Sequence, residues 1–234
     1  MGGELLTKER EEPREEEAPD KLVIFAWSGD LDRVWPQLAF AAPWQAAAER
    51  AEAEAALGRL LAWHKAGWGR EVLAAEHRFE VEVPVGDDAA VLRGSMDRVE
   101  RDGDNRLVVV DFKTGKRAPR DAELPEHPQL GMYQTAVRHG AADELIGPGA
   151  EPGGAELVHL RQEVRGTVRV QRQEPLGDES AAEEQLAAAV KAIRSEDFAA
   201  TPGKHCGYCE FRASCPAQAD GASILSATPG EPDA

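Results

Sequence analysis

Residues 90–113, "AVLRGSMDRVERDGDNRLVVVDFK", restrict the fold more than any other stretch. Two runs rich in β-branched and apolar residues flank "RDGDN", a composition that makes turns. The pattern predicts a hairpin of strands over 90–100 and 106–113. Its second strand, "VVVDFK", is apolar enough to be buried, yet it ends on Asp111 and Lys113. Burying a carboxylate and an ammonium is costly unless each has a partner.

Pairing across the turn suggests the partner. With the hairpin centred on Asp104 and a loop of three or five residues, Asp97 stands directly opposite Asp111. The two carboxylates then share one face of the sheet. Lys113 projects from that face, while Val108, Val110 and Phe112 project from the other. A two-residue Gly103-Asp104 loop would slip the register and part the aspartates. Two carboxylates about 4 Å apart repel by about 4 kcal/mol at an effective dielectric of 20. Lys113 can neutralise one of them, and a divalent cation can neutralise both. Hard cations such as Mg²⁺ bind through one or two carboxylates and leave positions for phosphate and water. A neighbouring lysine can orient or help deprotonate a water, or stabilise charge developing on phosphorus. The set suits phosphodiester hydrolysis. A plain salt bridge between Asp111 and Lys113 is the simpler reading of "DFK" alone.

The rest of the chain supplies the frame. "PWQAAAERAEAEAALGRLLAWHKAG" (43–67) reads as a helix, from Pro at its first turn to Gly67 after its end. Leu57, Leu60, Leu61 and His64 follow the spacing of one buried stripe. "RFEVEVPV" (78–85) alternates as a half-buried strand and precedes the hairpin, giving a three-stranded meander. "HPQLGMYQTAVRHG" (127–140) predicts a helix, "AELVHLRQ" and "TVRVQRQ" a second hairpin around "EVRG", and 180–196 another helix. A short helix is expected from Gly29. This order indicates an α/β or α+β domain in which helices flank a mixed central sheet.

The ends read differently. Residues 1–20 are dominated by charge and 219–234 are small, polar and rich in Pro and Gly, so both are expected to be disordered tails around one ordered domain, 21–218. No apolar run approaches the roughly 18 residues that span a membrane, and no secretory pattern opens the chain. The expectation is a cytoplasmic protein with no membrane partner. Net charge is −16, which argues weakly against a polyanionic partner. Much of the acid lies in Glu4 to Asp20 and Glu179 to Glu196, however, and "KTGKR" and "RAPR" after the strand offer a local basic rim.

Taken together, "GSMDRVE", the turn, "VVVDFKTGK" and "HPQLGMYQ" resemble the nuclease core of the RecB-like branch of the PD-(D/E)XK superfamily, which has a restriction-endonuclease-like fold. The resemblance implies that Asp97 and Asp111 hold Mg²⁺ or Mn²⁺ and that Lys113 is the catalytic lysine. It makes Gln129 and Tyr133 the Q-x-x-x-Y helix motif beside the site, and the i, i+4 spacing independently puts these two on one helical face. "VWPQLAFAAPWQAAAERAEAEAALGRLLAWH", "GAELVHLR" and "PGKHCGYCEFRASCPA" are similar to the C-terminal nuclease module of actinobacterial AdnAB-type helicase-nucleases, particularly the AdnB-like subunit. The implied function is metal-dependent DNA cleavage in end processing or recombinational repair, with DNA as substrate and a helicase domain or subunit as partner.

Cys206, Cys209 and Cys215 are the chain's three cysteines, closely spaced as in a metal or cluster site. The resemblance implies a 4Fe-4S cluster whose fourth, upstream cysteine this chain lacks. It also implies an upstream histidine helix that would precede residue 22, so the nuclease domain reads as N-terminally truncated. No G-x-x-x-x-G-K-[ST] stretch is present, hence no P-loop. Two other readings stand beside the nuclease: a catalytically incomplete remnant that binds DNA or a partner, and a zinc-binding interaction module.

Overall fold

The computed structural model describes residues 31–67, 69–177, 180–219 and 221. The tail expected at 1–20, the tail expected at 219–234 apart from residues 219 and 221, and the start of the helix expected from Gly29 lie outside the described residues. These residues form two compact units: 31–67 with 113–116 and 159–169, and the remainder.

The first unit carries helix α1, Pro43–Ala66, with Pro at its first turn and Gly67 at its C-terminus in a left-handed conformation (φ 48°). The Gly67 N–H closes the helix on the His64 carbonyl at 3.2 Å. Its buried residues are Ala56 and Trp63, two turns apart, while Leu57, Leu60 and Leu61 are half-buried and His64 is exposed. The expected stripe is therefore rotated by one residue, away from His64. The stripe centres on Trp63, which is 3% exposed, whereas the other tryptophan of the helix, Trp44, is exposed. Arg50 and Glu54 pair one turn apart at 2.9 Å, and Arg59 donates to the Leu160 carbonyl at 2.7 Å.

A mixed five-stranded sheet runs in the order β1-β2-β3-β4-β5, and helices flank it. The strands are β1 Glu71–Val85, β2 Asp88–Arg101, β3 Leu107–Lys113, β4 Pro152–Val164 and β5 Thr167–Gln173. Lys113, the end of β4 from His159 and the start of β5 to Arg169 belong to the first unit. Between β3 and β4 come α2, Pro128–Arg138, and the single turn α3, Asp143–Ile146, and after β5 comes α4, Ala181–Arg194. The α/β expectation holds. β3 is buried without a break from Leu107 to Asp111, which is why its sequence is a run of valines and not an alternation.

The core of the second unit gathers Met96, Val99, Leu107, Val109, Leu130, Ala136, Val137 and Leu157. Each of the Val, Leu and Met side chains contributes about 1.5–3 kcal/mol on burial. α2 approaches α4 closely at Gly131, where a Cβ would lie 2.7 Å from that of Ala182. β1 is longer than its alternating segment predicts, reaching back to Glu71 through a register shift between Val72 and Ala74. Among the described residues no helix is long and apolar enough to cross a membrane.

Candidate active site

The β2–β3 turn sets the geometry. Asp102 donates its N–H to the Arg106 carbonyl at 2.9 Å, and its Oδ1 accepts the N–H groups of Asp104 at 2.9 Å and Arg106 at 2.8 Å. Burial acts to raise the Asp102 pKa, but these two backbone donors and the Arg106 guanidinium prevail and hold it below the usual carboxylate value. Asn105 takes the left-handed position at φ 61°, which asparagine tolerates better than most residues. The loop is odd in length, and the strands pair Arg101 with Leu107, Glu100 with Val108, Val99 with Val109 and Arg98 with Val110. The ladder ends at Arg98 and Val110; one further step in the same register would set Asp97 opposite Asp111, the placement expected from an odd loop.

At that step the ladder gives way to a side chain. The Phe112 N–H donates to Asp97 Oδ2 at 2.8 Å. Asp97 is half-buried, whereas Asp111 is only 3% exposed. Helix α2 meets Asp111 through its first turns. Gln129 Nε2 donates to Asp111 Oδ1 at 2.8 Å and to the Tyr133 hydroxyl oxygen at 2.9 Å. The Tyr133 hydroxyl in turn faces two acceptors, the Ser95 carbonyl at 3.1 Å and Asp111 Oδ1 at 3.3 Å. Gln129 and Tyr133 thus converge on one carboxylate, as their shared helical face suggests. Pro128 opens this helix, and His127 caps it by accepting the Leu130 N–H at 3.5 Å.

Tyr133 is braced from the sheet. The Phe79 ring stands edge-on to it, with centroids 6.5 Å apart and planes at 77°. Phe79 can lie there because its cross-strand neighbour is Gly94, where a Cβ would come within 2.9 Å of the ring. Neither residue stands out as part of the site by sequence, although a glycine inside a strand pattern signals a close approach. Burial pushes the Tyr133 phenol up to about 12; Gln129 acts the other way, and the negative charges of Asp111 and Asp97 add to the rise. Both carboxylates therefore lie within electrostatic reach of one hydroxyl.

Lys113 is the last residue of β3, two beyond Asp111 in the chain, and belongs to the first unit. In the basic rim after the strand, Lys116 lies 3.7 Å from Glu49 and Arg120 pairs with Glu123. Exposed pairs of this kind are worth about 0–1 kcal/mol, so both cations can exchange partners.

The donor set of Asp97 and Asp111 fits a hard divalent cation: two carboxylates on one face, one buried and one half-buried. The cysteines do not form a comparable centre. Cys206 and Cys215 are partly buried, Cys209 is exposed, and all three are free thiols. They are distributed over two separate 3₁₀ turns, Lys204–Tyr208 and Arg212–Ser214, and the residues that follow each. Among the described residues no three His, Cys, Asp or Glu side chains gather as a metal-holding group. The cluster expected at Cys206, Cys209 and Cys215 is thus unsupported, because spacing along the chain has not become convergence in space.

The sequence profile of the PD-(D/E)XK nuclease superfamily matches residues 5–216. No curated protein matches the chain. Among solved structures, one described as "Crystal structure of SSO0001" is similar at 19% identity, covering 86% of this chain and 82% of its own, with a TM-score of 0.41.

Proposed function

The chain belongs to the PD-(D/E)XK nuclease superfamily, and from that premise we propose that it is a divalent-metal-dependent deoxyribonuclease domain that hydrolyses DNA phosphodiester bonds. The observation that carries this reading is the Asp111 carboxylate bound by Gln129 and Tyr133, with the neighbouring strand's Asp97 accepting the Phe112 N–H. Members of the superfamily typically use divalent metals, and Asp97 and Asp111 would hold Mg²⁺ or Mn²⁺ here. When bound, such an ion neutralises the paired carboxylates and attracts a phosphate oxygen to them.

The chain's own groups do the rest. Lys113, two beyond Asp111 in the chain, supplies positive charge that orients water or stabilises charge developing on phosphorus. Gln129 donates to Asp111 Oδ1 and so fixes the orientation of that carboxylate. Tyr133 remains protonated at neutral pH and acts as a hydrogen-bond donor beside the carboxylates. The resemblance to AdnB-like modules supports a place in DNA end processing beside a helicase domain or subunit.

A second reading has its own support. Among the described residues no third His, Cys, Asp or Glu joins the two aspartates, as a catalytically incomplete module that binds DNA or a partner would require. Labelled single- and double-stranded DNA, incubated with Mg²⁺ or Mn²⁺ and with chelator, separates the two. The nuclease reading expects metal-dependent cleavage that falls at least about a hundredfold in Lys113→Ala. Binding without cleavage favours the incomplete module.

A further inference from the structure

The first turn of α2 is held from behind by amides of β5. Gln173, the last residue of that strand, is 3% exposed. Its Nε2 points at three carbonyls of the segment entering α2: Leu124 at 2.8 Å, Pro125 at 3.2 Å and His127 at 3.3 Å. Its Oε1 accepts from Gln134 Nε2 at 2.9 Å. Gln134 lies on α2 itself and is fully buried. It donates to the Glu174 carbonyl at 3.2 Å and accepts the Leu176 N–H at 3.1 Å. Two residues back along β5, Gln171 Nε2 holds the Pro119 carbonyl at 3.0 Å and Asp121 Oδ1 at 2.5 Å.

A core built for stability alone would place apolar side chains here, since a buried amide must have its partners to break even. Fully satisfied amides instead select one geometry. The geometry they select is that of the connection from β3 to α2, and so the start and rotation of the helix bearing Gln129. A rotation of about 20° about the helix axis would carry a side-chain tip about 2 Å. That is enough to break the 2.8 Å bond from Gln129 to Asp111.

We infer that Gln173, acting with Gln134, is a positioning residue that locks α2 so that the Gln129 amide reaches the Asp111 carboxylate. The link from this lock to catalysis rests on the nuclease reading; the lock itself does not.

The test is hydrogen exchange of the Gln129 side-chain amide, followed by NMR in the whole ¹⁵N-labelled chain. Gln173→Met keeps length and volume and removes the amide, and Gln134→Leu removes the other half of the pair. In either variant that still melts cooperatively, Gln129 exchange is expected to accelerate about tenfold or more. Exchange unchanged within about twofold in both folded variants would overturn the inference, since a purely structural role shifts melting and leaves Gln129 protected. If Gln173→Met fails to fold, Gln134→Leu decides alone, and Gln171→Leu replaces either. Where the chain cuts DNA, combining Gln173→Met with Gln129→Leu should reduce kcat no further than Gln129→Leu does. If it cuts nothing, the exchange result still stands and only the nuclease reading fails.

Discussion

The backbone N–H of Phe112 donates to the carboxylate of Asp97, so a side chain takes over where the β2–β3 ladder would place a carbonyl. Asp97 thereby has two separable roles, acceptor and charge. Asp97→Asn retains an acceptor and is expected to leave urea stability unchanged within about 0.5 kcal/mol. Asp97→Ala leaves the Phe112 N–H to find another partner and should cost about 1–3 kcal/mol. Under the proposed function both variants lose metal-dependent cleavage. Equilibrium denaturation beside a cleavage assay separates the roles.

The raised Tyr133 pKa makes a prediction of definite sign. In the metal-free protein the phenol titrates at about 12, above its ordinary 10.0. The neutral phenol is the form that folding favours, so its contribution to stability is complete below about pH 10 and is lost as pH rises through about 12. With Tyr133 and Tyr208 the chain's two tyrosines, Tyr208→Phe leaves Tyr133 as the sole phenol. Alkaline difference absorbance of that variant should give one transition near pH 12.

The turn at 102–106 sets the register of β2 on β3. Asn105 has φ 61°, so Asn105→Gly should be tolerated, whereas Asn105→Val should cost about 1–2 kcal/mol. Asp102→Ala removes the acceptor for two N–H groups and should cost about 1–3 kcal/mol. Because the Asp102 pKa is depressed, its contribution is present above the ordinary carboxylate pKa and disappears as pH falls below it. Thermal melts from pH 3 to pH 7 measure this, and the gap between Asp102→Ala and the parent should narrow at the acid end.

Gly94 and Phe79 should behave as a coupled pair. A Cβ at Gly94 would lie 2.9 Å from the Phe79 ring, so Gly94→Ala is expected to cost about 1–3 kcal/mol by overpacking. Phe79→Leu frees the space, and the double variant should be less destabilised than the sum of the two singles. A denaturation double-mutant cycle reads the coupling directly.

The parts legible in the sequence share one physical basis: local pattern decided them. The valine run of β3 and the shared helical face of Gln129 and Tyr133 each depend on a few neighbouring residues, whereas the odd loop follows from pairing the aspartates and the role of Gln129 and Tyr133 from the family resemblance. The undetected parts depend on distant ones. Glu71 to Glu76 lack a clean alternation, and Glu76 sits at φ 52°, so the first half of β1 carries no strand signal. Gln171 and Gln173 look like ordinary polar strand residues until the 119–127 connection lies against them. The cysteines show the opposite failure, a suggestive spacing that the folded chain does not gather.

Asp97 and Asp111 are proposed to form one divalent metal site, and Mn²⁺ binding measured by electron paramagnetic resonance tests this most directly. Titrated with Mn²⁺, the parent chain is expected to remove a single ion from the free-ion signal, and Asp97→Asn and Asp111→Asn, folded as judged by melting, are expected to remove none. A parent chain that binds no Mn²⁺, or an Asp111→Asn variant that binds it as tightly as the parent, would contradict the claim.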